Sequence, residues 1–81
     1  MTPELARSLA NELQLLNIKA VPHSKLNLWC VLIDNWCSVI GDEKSVTWGP
    51  QWEHSVRHHD DPHRTARSIR RTLPKKVLSP K

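Results

Sequence analysis

The sequence predicts an α+β domain of order α-β-β-β-α: an antiparallel three-stranded sheet with two helices on one face. Three observations predict it. A leucine stripe at helical spacing opens the chain. Two apolar runs joined by turn residues fill its middle. An Asp-Pro helix start and a narrow apolar seam stand near its end.

The first helix has a cap, a start and a stripe. Thr2 suits the N-cap, Pro3 the first helical position, and Glu4 the positive end of the dipole. Leu5, Leu9, Leu13 and Leu16 recur at +4, +4 and +3, widened by Ala6 and Ala10. Asn17 suits a left-handed stop. Residues 18–21 then read as an optional extra edge strand closed by Pro22.

Residues 27–48 read as two hairpins. Asp34-Asn35 is taken as a two-residue turn pairing Ile33 with Trp36, Val31 with Ser38 and Trp29 with Ile40. Residues 41–44 form the second turn. On this register Leu28, Cys30, Leu32, Cys37 and Val39 share a face with Val46 and Trp48, and that face is assigned to the helices. Trp29, Val31, Ile33, Trp36 and Ile40 fall on the other face, too apolar to stay bare. They are the candidate protein interface, serving a homodimer or the inhibition of a larger protein, with a covered core and a base-stacking platform as the competing readings.

Residues 49–60 read as an irregular connection anchored by Trp52 and Val56. Asp61 caps the second helix and Pro62 opens it. Ala66, Ile69 and Leu73 form its seam. Pro74 ends it, which gives a domain over 1–73 and a basic tail over 74–81.

Size bounds the rest. The chain has 81 residues, 38% of them hydrophobic, and carries a formal charge of +4. An apolar core of that size is marginal, and dimerisation or a metal commonly helps. The longest apolar run, Leu28 to Ile33, is far below the ~20 residues a membrane span needs. No signal peptide is expected, and with two cysteines an intracellular, cytoplasmic protein with reduced thiols is the default.

The positive charge is gathered at one end. Residues 57–81 hold 8 basic and 2 acidic side chains, net +6, whereas residues 1–56 hold 4 and 6, net −2. Arg64, Arg67 and Arg71 fall at about 0°, 300° and 340° around the helix, away from the seam. With Arg70, Lys75 and Lys76 they are the candidate phosphate-neutralising residues. Their partner is nucleic acid, or else an acidic protein surface. The bland alternative is a solvated face that keeps a small protein soluble.

Other chemistry is thinly represented. His54, His58, His59 and His63 include two i, i+4 pairs, but a helix starting at Pro62 splits the second, so no metal site is assigned. Cys30 and Cys37 read as small buried hydrophobes on one face, too far apart diagonally for a disulfide. No acid–base pair or nucleophile constellation is supported by spacing, so no enzymatic activity and no cofactor are expected.

The element order is also that of double-stranded-RNA-binding domains, with Arg64, Arg67 and Arg71 where those domains present basic residues to phosphates. The chain lacks their Gly-Pro-x-His strand loop. The stretch Val31-Leu32-Ile33-Asp34, then Gly41, Trp48-Gly49 and Asp60-Asp61-Pro62, with Ala66 and Arg70-Arg71, resembles a set of small actinobacterial proteins of the same order. That resemblance implies the order of elements and no activity.

Overall fold

The computed structural model describes residues 1–34, 36–42, 44–57 and 61–74. In chain order the elements are α1 (Pro3–Leu15), β1 (Ala20–Lys25), β2 (Leu28–Ile33), β3 (Ser38–Gly41), β4 (Val46–Trp48), β5 (His54–Val56) and α2 (Pro62–Thr72). The strands form one antiparallel meander in the order β1-β2-β3-β4-β5. The fold is α+β with two helices, and the sheet has five strands rather than the expected three. Among the described residues no helix is long and apolar enough to cross a membrane.

Both helices form where their local signals place them. Thr2 Oγ1 accepts from the Leu5 N–H at 3.1 Å, and Asp61 Oδ1 accepts from the Arg64 N–H at 3.1 Å. Each cap satisfies one of the orphan donors of a first turn. Asn17 has φ 65°. The Ile18 N–H donates to Leu13 O, and the Asn17 N–H to Gln14 O, both at 3.0 Å. These are the two bonds of a Schellman stop. Buried Ile18 and Leu13 supply its apolar contact.

The core lies between the helices and one face of the sheet. Ala6, Leu9, Ala10 and Leu13 of α1 and Ala66, Ile69 and Leu73 at α2 meet Val31, Ile33, Val39, Val46 and Trp48. The face of β2 is therefore the reverse of the expected one. Val31 pairs with Val39 and Leu32 with Ser38. The Ile33 N–H donates to Cys37 O at 2.9 Å, so the connection between those residues is three residues long, not two. The favoured two-residue hairpin turns need positive φ at one or both central positions, which Asp-Asn without glycine supports poorly. One extra residue turns every β2 side chain over.

Three expectations fall with that register. Val31 and Ile33 are buried under the helices, and Trp29 and Trp36 pack half-buried against the same core. Of the five proposed interface residues, Ile40 alone stays on the uncovered face. Cys30 and Cys37 stand on opposite faces, not together, and both are free thiols. The assignment of Val39, Val46 and Trp48 to the helix side holds, because the pairing shifts by two positions, which preserves their phase: Val39 pairs with Trp48 and Gly41 with Val46.

Two strands exceed the sequence reading. β1 runs through Pro22 to Lys25. The Asp34 N–H donates to Lys19 O at 2.9 Å. That bond fixes the ladder phase and turns the backbone nitrogen of Pro22 away from β2, where a missing N–H costs nothing. Leu26 and Asn27, at φ 53° and 66°, then make the tight turn into β2. β5 occupies part of the connection expected to be irregular. The turn that delivers it starts at Gly49 (φ 107°), whose carbonyl accepts from the Trp52 N–H at 3.1 Å.

Candidate functional site

α2 is the element with the most polarised surface. Thr65, Ala66 and Ile69 are buried on one side. Arg64, Arg67, Arg70 and Arg71 are exposed on the other. The geometry follows from spacing alone: at 100° per residue the buried arc and the arginine arc are nearly opposed. Arg70 and Arg71 lie in the last turn, where the helix dipole favours cations. α2 itself contains no acidic residue.

The guanidinium groups have no internal occupant among the described residues. The ion-pair contacts there are His54 with Glu53 at 3.7 Å and His63 with Glu12 at 2.9 Å, and neither involves an arginine. Arg67 and Arg71 are i, i+4 neighbours of like charge, an arrangement that costs a helix about 0.2–0.5 kcal/mol. The face is therefore held in place by burial of its reverse side, against its own repulsion.

Two shallow grooves border this face. One runs between the end of α1 and α2, lined by Leu16, His63, Arg67, Arg70 and Arg71. The other is lined by Asp61, His63, Arg64, Arg67, Ser68 and Arg71. Arg67 and Arg71 belong to both. Along the axis Arg64 to Arg71 covers about 10 Å, a length over which a duplex carries about six phosphate charges.

The position of the last turn is fixed from the sheet. Trp48 Nε1 donates to Thr72 Oγ1 at 2.8 Å, and Thr72 Oγ1 donates to Ile69 O at 2.8 Å. Trp48 also stacks on His54, with ring centroids 5.7 Å apart and planes at 26°. Trp36 approaches the same imidazole at 6.4 Å. The sequence pattern does not announce this aromatic floor, because residues 49–60 show no strand alternation that would place His54 beside Trp48.

The remaining expectations separate. Lys75 and Lys76 lie outside the described residues, as do His58 and His59. His54 and His63 sit on different elements with different carboxylate neighbours, Glu53 and Glu12. Among the described residues no group of three histidine, cysteine or acidic side chains is placed to hold a metal. Burial pushes both thiols above the usual cysteine range; at Cys37 the Gly49 N–H, 3.3 Å from Sγ, opposes that rise and Glu53 adds to it.

The surface that sequence reasoning missed is the uncovered face of the sheet, carrying Val21, Leu28, Leu32 and Ile40. Its only signal is that β2 is apolar on both sides, which leaves its facing to the turn length.

No family model, no curated protein and no solved structure matches this chain.

Proposed function

We propose that this protein is a small non-enzymatic accessory or regulatory protein that binds nucleic acid through α2. The observation that carries the reading is the row of four exposed arginines without a carboxylate partner among the described residues. Arg64, Arg67, Arg70 and Arg71 neutralise phosphates, and Lys75 and Lys76 extend the positive charge along the sequence. Guanidinium contacts of this kind position a protein on the backbone and read no sequence. On this reading the protein acts in the cytoplasm, where its two thiols stay reduced.

Charge reversal at two positions tests it. Arg67→Glu with Arg71→Glu is expected to abolish binding to a labelled RNA or DNA duplex at low salt. Lys19→Glu with Lys44→Glu, of equal charge change but outside α2, is expected to leave most of it. Equal losses in the two proteins would show that net charge alone drives binding and would remove α2 as the site.

A further inference from the structure

The sheet has a face that no helix covers among the described residues. Val21, Leu28 and Ile40 lie on it, 53%, 73% and 43% exposed, with Cys30 and Leu32 between them and His23 and Lys25 of β1 beside them. At one end stands the β1–β2 turn, where Leu26 is 85% exposed. At the other end is an open hollow of about 510 Å³ with mainly apolar walls, lined by Gln14, Lys19, Ala20, Val21, Leu32 and Asp34.

The β1 edge is closed to strand addition. Pro22 offers no N–H there, and Gln14 Nε2 already donates to the outward Ala20 carbonyl at 2.7 Å. A partner for this half of the sheet therefore meets its face, not its rim.

We infer that two copies of this chain pack these faces together about a two-fold axis running across the strands. Such a rotation reverses strand direction and keeps β1 over β1 and β2 over β2. It brings Leu26 of each copy over the hollow of the other, the reciprocal contact an isologous interface requires. Lys19 and Asp34 are register neighbours at the hollow, joined by a backbone bond, so their opposite charges offset, and Ala20, Val21 and Leu32 supply the apolar wall that accepts a leucine side chain. Seating Leu26 there places the axis at the His23–Cys30 pair.

The size suits a weak dimer. With strands of six, six, four, three and three residues, about 4.8 Å between strands and 3.3 Å per residue give a face of about 350 Å² in projection. Two such faces, corrugated by side chains, hide on the order of 1,000 Å² of accessible surface, the size of a weak interface. The arginine face of α2 lies on the reverse of the sheet and remains open in the dimer.

Sedimentation equilibrium of the full chain without nucleic acid tests this. A monomer–dimer equilibrium in the micromolar range is expected, abolished by Leu28→Glu and by Leu26→Ser. Both side chains are exposed, so circular dichroism should be unchanged. In Cys37→Ser protein a short bismaleimide should join Cys30 to Cys30, because both lie beside the axis with the sheets about 10 Å apart. A monomer throughout the concentration series would overturn the proposal. So would a dimer that survives both substitutions, or one that fails to cross-link.

Discussion

Trp48 Nε1 donates to Thr72 Oγ1 at 2.8 Å, and this bond ties the central part of the sheet to the last turn of the arginine helix. Trp48 is buried, so its N–H has no water to turn to. Arg70 and Arg71 flank that turn, so the same bond fixes where their stems begin.

Thr72→Val removes the acceptor and keeps the shape. It should lower stability by about 1–3 kcal/mol, the cost of a buried donor left unpaired. Thr72→Ser should recover most of that. Urea midpoints of the three proteins check it, and a valine protein as stable as the parent would show that the bond contributes nothing.

Gly49 sets a second local constraint. Its φ is 107°, and a Cβ there would lie 2.6 Å from Glu53 Oε1. The glutamate can swing away, but the backbone strain stays. Gly49→Ala should cost about 1–3 kcal/mol and loosen the turn that delivers β5. Hydrogen exchange at Ser55 and Val56 should rise with it; unchanged exchange would mean that β5 is held without this turn.

The same turn makes stability depend on acid. Its own N–H and that of Gln51, at 2.9 Å, hold the Glu53 carboxyl below the ordinary glutamate value. A depressed folded pKa contributes stability that is present above the unfolded value and lost as pH falls through the folded one. Glu53→Gln should therefore be less stable than the parent near neutral pH, and the difference should narrow as the pH falls below the ordinary glutamate value. A gap that stays constant throughout the acid titration would assign the effect to packing.

Much of this architecture was legible in the sequence, and the exceptions share a cause. Caps at Thr2 and Asp61, the stop at Asn17 and both apolar seams are local signals, and they survive folding because each is satisfied within a few residues. The facing of β2 is different. Leu28 to Ile33 is apolar on both sides, so the alternation that normally fixes register is silent, and the decision passes to the length of one turn. The candidate interface of Trp29, Val31, Ile33 and Trp36 was lost to that single residue. β1 was cut short because Pro22 reads as a terminator until its nitrogen is known to face outward. The arginine row was visible because charge at helical spacing needs no tertiary information.

Anions should stabilise the fold through that row. Inorganic sulfate binding between Arg67 and Arg71 relieves their mutual repulsion and shifts the folding equilibrium by mass action. The melting temperature should rise more in the parent than in Arg67→Gln, Arg71→Gln protein. Equal rises in both would point to a general salt effect instead.

The most direct measurement is the salt dependence of duplex binding. If three or four arginines neutralise phosphates, the plot of log affinity against log salt should fall with a slope of about −3, and by about one unit less for each arginine replaced. A flat plot, or a slope unchanged in Arg67→Gln, Arg71→Gln protein, would contradict the assignment of α2 as a phosphate-binding face.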